Sequence, residues 1–259
     1  MENTLGQKRS RLFTILAGIF ITNALLAEMI GVKIFSAEST LGLSPANLSI
    51  LGFTMNFNLT AGAVIWPVVF ITTDLINEYF GKPGVKRISY FTALLIIYAF
   101  IVIFISIRLD PADFWVETKD PDGNTVNMDF AFNRIFGQGQ RIIIGSLTAF
   151  LIGQLVDVFV FQQLRKVTGS KKLWLRATGS TLVSQFIDSF VVLFIAFYGV
   201  FTNQQIIAIG ITNYIYKFAI AIALTPVIYL GHALIDSYLG KEQAEKISSQ
   251  AAKESKGFF

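Results

Sequence analysis

Ionisable side chains recur inside stretches of this sequence that are otherwise apolar. Glu28, Asp74, Asp157, Asp188 and Lys217 each lie in a different apolar stretch, and Glu78 shares the stretch of Asp74. A charge at the centre of a bilayer costs about 2.5–3.5 kcal/mol, so such groups pair, face the protein interior or line a hydrated cavity. The pattern therefore predicts a polar site for a transported molecule.

Amide side chains accompany these charges at helical spacing. Residues three or four positions apart share one face of a helix. Several helices are therefore expected to present an amide next to a charge, around one shared cavity. The pairs are Asp74 with Glu78 and the adjacent Asn77, Gln154 with Asp157, Gln185 with Asp188, and Asn213 with Lys217.

Carboxylates and amides together offer hydrogen-bond acceptors and donors, which suits a planar heterocycle with a guanine-like edge. Aromatic side chains such as Trp66 and Phe70 could stack on its faces. Simpler roles stay open: Gln154 and Gln185 as links between helices, Lys217 as a counter-ion, and the aromatic rings as lipid-facing or core groups. The predicted substrate-binding residues are Trp66, Phe70, Asp74, Asn77, Glu78, Gln154, Asp157, Gln185, Asp188, Asn213 and Lys217.

Composition excludes several classes of site. The chain has no cysteine and one histidine, His232, which removes cysteine metal sites, iron–sulfur clusters and a Ser-His-Asp triad. No Walker sequence is present. An intramembrane protease using Asp157 and Asp188 lacks the expected Gly-x-Gly-Asp sequence. We therefore predict a protein that is not an enzyme and that binds no metal, cofactor or nucleic acid.

The elements that must position these residues are membrane-spanning helices. The 259 residues are 53% hydrophobic and 15% charged, whereas soluble domains carry about 25% charged residues. A spanning helix needs about 20 apolar residues. The prediction is an all-α polytopic membrane protein with one six-helix domain over 1–239 and a tail over 240–259. The six spans are 12–35, 60–80, 87–108, 141–164, 177–201 and 205–235.

Basic residues predict the orientation of the spans. With six spans, the basic clusters within 8–11, 82–87, 165–176 and 241–256 fall on one side, and the acidic 109–140 segment falls on the other. The positive-inside rule then places both termini in the cytoplasm. Outside the spans, we expect a short interfacial helix over 127–138, a hairpin or re-entrant segment over 42–58, and a tail that is either a solvated amphipathic helix or disordered.

The stretch from Trp66 to Lys82, Trp-Pro-Val-Val-Phe-Ile-Thr-Thr-Asp-Leu-Ile-Asn-Glu-Tyr-Phe-Gly-Lys, resembles the signature of the queuosine precursor transporter family, also called the vitamin uptake transporter family. Phe80 between Tyr79 and Gly81 departs from that signature. The later Gln–Asp pairs, Asn213 to Lys217, and Thr225-Pro226 resemble family positions in the same order. The resemblance covers about residues 20 to 235.

This resemblance implies an inner-membrane protein that imports 7-cyano- or 7-aminomethyl-7-deazaguanine, and in some members queuine, into the cytoplasm for tRNA modification. It adds Asn23 to the substrate-binding residues. It also implies a fold similar to the substrate-binding subunits of energy-coupling-factor transporters. The alternative is a vitamin-binding subunit that works with a separate ATPase module. A homodimer is compatible with the sequence but not required by it.

Overall fold

The computed structural model describes residues 2–137, 140–169 and 172–255. Helices dominate this part of the chain, and the strands are short and confined to connections, which confirms the predicted all-α class. In chain order the elements are α1 (Glu2–Ile30), β1 (Ile34–Ser36), α2 (Ala37–Thr40), β2 (Leu48–Ile50), β3 (Phe53–Met55), β4 (Asn58–Thr60), α3 (Gly62–Ser106), α4 (Asp113–Val116), β5 (Glu117–Lys119), β6 (Thr125–Asn127), α5 (Met128–Phe136), α6 (Gln140–Thr168), α7 (Leu173–Phe197), α8 (Asn203–Ala223), α9 (Thr225–Leu239) and α10 (Lys241–Glu254).

Five helices in the described residues are long and apolar enough to cross a membrane: Leu5–Ile30, Gly62–Ser106, Ile142–Thr168, Leu173–Phe197 and Asn203–Ala223. The chain is therefore a multi-pass membrane protein. Many large apolar side chains on these helices are exposed, such as Ile15, Val64 and Tyr98. Lipid provides the apolar surroundings for such a surface, since lipid tails are as apolar as leucine.

Helix α3 contains two of the predicted spans. Its 45 residues exceed the roughly 20 that one crossing of a hydrocarbon core of about 30 Å needs. The helical geometry fails at Gly81, with φ 64° and ψ −168°, between the predicted spans 60–80 and 87–108. Glycine tolerates this left-handed φ because it has no Cβ. The number of spans stays a prediction, because α3 contributes either one long or two shorter ones.

The predicted span over 205–235 is divided in two. Helix α8 ends at Ala223 and α9 begins at Thr225, with Pro226 in its first turn. Proline has no N–H to donate, and its ring clashes with the carbonyl group four residues earlier in a helix, so a continuous helix is interrupted here. The sequence pattern missed this break because both halves are apolar.

The connections agree with the predicted short elements. Strands β2 and β3 form an antiparallel hairpin, which is the first alternative for 42–58. Helix α5 (Met128–Phe136) begins one residue after the predicted start of the interfacial helix. The predicted end, residue 138, lies outside the described residues. The tail forms helix α10, whose Ala244, Ile247 and Ala251 are buried; residues 256–259 lie outside the described part.

Candidate functional site

A cleft lies between α3, α6 and α7. It holds about 350 Å³ of empty space, counting the part that is open to solvent. Helices α6 and α7 make the most extensive helix–helix contact among the described elements, and α3 packs on α6. The cleft is lined by Trp66, Phe70, Thr73, Phe150, Gly153, Gln154, Asp157, Ser184, Gln185 and Asp188.

Aromatic rings form one wall of this cleft. Trp66 and Phe70 are one turn apart on α3, with ring centroids 5.9 Å apart and planes inclined by 17°. The ring of Phe150, on α6, lies 5.8 Å from Trp66. Flat apolar faces of this kind suit stacking on a planar ligand.

Polar atoms in the cleft lack partners within the described chain. Asp157 accepts a hydrogen bond at 3.3 Å from Ser184 Oγ through Oδ1, whereas its Oδ2 is buried with no partner. Gln185 Oε1 is also buried and unpartnered. Buried polar atoms are nearly always hydrogen-bonded. Two such atoms in one cleft therefore point to a ligand or ordered water between α6 and α7.

Gln154 is held by neighbouring hydroxyl groups. Its Oε1 accepts from Thr73 Oγ1 at 3.3 Å and from Ser89 Oγ at 3.4 Å. Both donors lie on α3, so Gln154 links α6 to α3 as well as lining the cleft. The two roles left open for Gln154 therefore coexist in one side chain.

Asp188 and Lys217 form an ion pair across α7 and α8. Lys217 Nζ lies 2.5 Å from Asp188 Oδ2, with side-chain exposures of 20% and 24%. Asp188 lines the cleft and Lys217 does not. Asn213, one turn before Lys217 on α8, is also absent from the cleft lining.

Asp74 lies in a second cleft, between α3, α7 and the α8–α9 junction, with about 280 Å³ of empty space, counting the part that is open to solvent. Phe70 lines both clefts, one turn before Asp74 on α3. The remaining lining is Pro67, Ile71, Thr178, Thr181, Ile220, Ala221, Leu224 and Ile228. Asp74 and Asp157, which the sequence suggested as joint ligands, thus line neighbouring clefts rather than one.

Glu78 is shared by two arginines instead of lining a cleft. Its Oε1 lies 3.2 Å from Arg165 Nη2, and its Oε2 lies 3.0 Å from Arg176 Nη2. Ser248 Oγ, from α10, donates to Oε1 at 2.8 Å. Sequence reasoning assigned both arginines to the cytoplasmic basic clusters and missed this pairing. The sequence signal for this pairing was an acidic residue, Glu78, near the end of the predicted span 60–80 that is followed by basic residues.

Two other signature residues, and Asn23 of α1, also make contacts within the protein. Asn77 Oδ1 accepts from Gln162 Nε2 at 2.7 Å. Tyr79 Oη donates to Asp236 Oδ1 at 2.6 Å, so it holds α9 against α3. Asn23 donates to the Ile19 carbonyl of its own helix at 2.8 Å.

The structure therefore brings together six of the twelve predicted residues: Trp66, Phe70, Gln154, Asp157, Gln185 and Asp188. Asn23, Asp74, Asn77, Glu78, Asn213 and Lys217 lie elsewhere. Sequence reasoning missed Thr73, Phe150, Gly153 and Ser184, which are uncharged and common in any apolar helix. Among the described residues, no group of three or more His, Cys, Asp or Glu side chains could hold a metal ion.

Comparison with known proteins gives a family match over residues 60–231, to the model described as "Putative vitamin uptake transporter". A "Probable queuosine precursor transporter" of Bacillus subtilis is 30% identical over 193 residues, covering 73% of this chain and 80% of that protein. The "Queuosine precursor transporter" of Escherichia coli is 31% identical over 178 residues, covering 68% and 71%. No solved structure matches the chain.

Proposed function

The chain belongs to the vitamin uptake transporter family, and on that premise we propose that it imports 7-deazaguanine precursors of queuosine into the cytoplasm. The names of the Bacillus and Escherichia relatives support this class of substrate. The proposed substrates are 7-cyano- and 7-aminomethyl-7-deazaguanine. The protein is a membrane transporter and not an enzyme.

The observation that carries the proposal is the pair of unpartnered buried atoms beside an aromatic wall. A guanine-like edge presents two adjacent N–H donors, which match a carboxylate such as Asp157, whose Oδ2 is unpartnered. The amide of Gln185 can hydrogen-bond the neighbouring ring atoms, and Trp66 and Phe70 can stack on the ring. Asp188 is the less available carboxylate, because Lys217 already holds it.

The charge of the cleft suggests a preference between the two precursors. Asp157 has no cationic partner among the described residues, and Asp188 is paired with Lys217, which lies outside the cleft lining. The aminomethyl form carries a positive charge that a carboxylate attracts strongly in a medium of low dielectric constant. The cyano form is neutral and gains less, so we expect the aminomethyl form to bind more tightly.

Uptake in living cells tests this function. The host would lack its own precursor synthesis and transporter, and queuosine in its tRNA would be measured after each precursor is supplied. The chain should restore queuosine. Asp157→Asn should lower uptake about tenfold or more, since a hydrogen bond to a charged group is lost.

Asp122→Asn is the matched control, because it makes the same chemical change in the exposed β5–β6 turn. The matched control for Gln185→Leu is Gln204→Leu, which makes the same change at an exposed position at the start of α8. Normal uptake by both Asp157→Asn and Gln185→Leu would remove this cleft from the substrate path. Failure of the unaltered chain to restore queuosine would reject the proposed substrates.

Reconstitution distinguishes the proposed function from the alternative, a vitamin-binding subunit that works with a separate ATPase. The purified chain in liposomes should take up labelled precursor without ATP or another protein. Uptake that requires a co-purifying ATPase would favour the alternative. The same liposomes, loaded with unlabelled precursor, would also report exchange.

A further inference from the structure

Asp74 is a carboxylate that the proposed substrate cleft does not use. It is 3% exposed, and its Oδ1 has no hydrogen-bond partner among the described residues. Its cleft is otherwise lined by apolar side chains and two threonines. An isolated carboxylate anion is unfavourable in such surroundings, and a neutral carboxylic acid is much less so.

In the described part of the chain, the other groups that face Asp74 supply no positive charge. Glu78 on its own helix and Asp157 on α6 are the titratable groups that act on it electrostatically. Helix α7 presents Thr178 and Thr181, and α8 and α9 present apolar side chains. Arg165 and Arg176 are engaged with Glu78. Asp74 is therefore a buried acid with acidic neighbours and with no cationic partner within residues 2–137, 140–169 and 172–255.

We propose that Asp74 is the site of a coupling proton, which it binds from the outer side and releases to the cytoplasm with each imported substrate molecule. This proposal rests on the proposed function. The step is a simple proton exchange: a proton from outside water joins a carboxylate oxygen, and the same O–H bond breaks when the site opens to cytoplasmic water. An ion pair could not exchange a proton so readily, because its carboxylate is already neutralised.

The position of Asp74 explains how the proton and the substrate influence each other. Phe70 separates the two clefts and lines both, so a ring movement on substrate binding changes the surroundings of Asp74. Asp157, a second buried carboxyl group, is an electrostatic neighbour of Asp74. A substrate that donates hydrogen bonds to Asp157 alters that charge interaction, and protonation of Asp74 in turn removes a negative neighbour of Asp157.

Purified protein in liposomes tests this coupling with labelled 7-cyano-7-deazaguanine, which is neutral and so does not itself respond to membrane potential. An acidic outside solution should drive accumulation, and a protonophore should abolish it. Asp74→Asn should accumulate no more than the wild type does with protonophore. Exchange of labelled for unlabelled substrate without a gradient should stay within about twofold of wild type, because Asn keeps the shape of Asp.

Asp74→Glu keeps a titratable group and should recover part of the gradient-driven accumulation. A pH-sensitive dye inside the liposomes should report proton entry with substrate in the wild type and none in Asp74→Asn. Gradient-driven accumulation by Asp74→Asn, loss of its exchange activity, or a requirement for sodium rather than protons would each overturn the proposal. Absence of exchange in the wild type would instead reject the proposed function.

Discussion

Glu78 is a buried carboxylate whose two oxygens are each occupied by an arginine. Arg176 is 1% exposed, and removing one member of a buried ion pair leaves an uncompensated charge. Glu78→Gln should therefore lower the free energy of unfolding by about 3–5 kcal/mol. The measurement is thermal or denaturant unfolding of the purified protein in detergent.

Glu242→Gln provides the control for this change. Glu242 also pairs with a cation, Lys246, at 2.7 Å, but the two side chains are 80% and 65% exposed. Exposed pairs of this kind contribute little, so stability should stay unchanged. Equal effects of the two substitutions would contradict the structural role of Glu78.

Glu38 fixes the segment between α1 and α3 through its carboxylate. Its Oε1 accepts from the Phe57 N–H at 2.8 Å, and this bond is the main reason that the pKa of Glu38 lies below its ordinary value of 4.5. A lowered pKa contributes stability that is complete above pH 4.5 and is lost as the pH falls through the folded-state pKa.

The protection factor of the Phe57 amide against hydrogen exchange should accordingly fall between pH 7 and pH 3. Glu38→Gln should have a protection factor that is lower at pH 7 and insensitive to pH, because Gln cannot titrate. Equal pH dependence in the two proteins would assign the effect to another group. The Asn124 N–H donates to Asp120 Oδ1 in the β5–β6 turn, and its protection factor serves as an internal comparison that Glu38→Gln should leave unchanged.

Helix α10 docks where α3 is broken. Lys82 N–H donates to Ser255 Oγ at 2.9 Å, and Arg165 donates to the Ser248 carbonyl at 2.7 Å. A Cβ at Gly81 would lie 2.6 Å from the Ala251 carbonyl oxygen. Close approach and a left-handed φ thus both require glycine at this position.

Gly81→Ala should displace α10 from α3. A positive φ combined with a ψ near 180° costs a residue with a Cβ on the order of 1–3 kcal/mol, and the steric overlap adds to that cost. Limited proteolysis should cut the variant within 241–255 faster than the wild type. Gly18→Ala is the matched control, because its Cβ would have no neighbour within 4 Å. Unchanged protection of α10 in Gly81→Ala would contradict this docking.

The molecule as a whole has an asymmetric charge distribution from which we predict its orientation. Its lack of cysteine lets single cysteines report their side without background. Asp122→Cys should react with a membrane-impermeant thiol reagent in intact cells or spheroplasts. Lys253→Cys should react only after permeabilisation, since the positive-inside rule places the tail in the cytoplasm. Labelling of Lys253→Cys in intact cells would reverse the orientation.

Neighbouring helices explain why part of the site could be predicted from sequence. Gln154 with Asp157 and Gln185 with Asp188 occur at helical spacing on consecutive helices, α6 and α7, which pack against each other. Facing polar pairs on two such helices almost have to meet, because lipid offers them no partner. The residue types alone predicted that carboxylates, amides and aromatic rings would line the cleft.

Spacing was less informative for Asp74 and Glu78. They are four residues apart, hence on one face of α3, but successive turns are about 5.4 Å apart along the axis. Asp74 therefore meets α7 and the α8–α9 junction, whereas Glu78 meets two arginines. Spacing along a helix predicts which face a side chain lies on. It does not predict how deep in the bundle the side chain lies or which neighbours it meets.

The sequence by itself determined that this chain is a helical membrane protein with buried polar groups, because apolar length and the cost of burying charge are local properties. Its signature stretch also placed it in a transporter family. Only the tertiary structure decided which acid is free and which is paired. Partners such as Arg165 and Ser248 are 87 and 170 residues away from Glu78 in the chain, and contacts at that separation depend on how the helices pack.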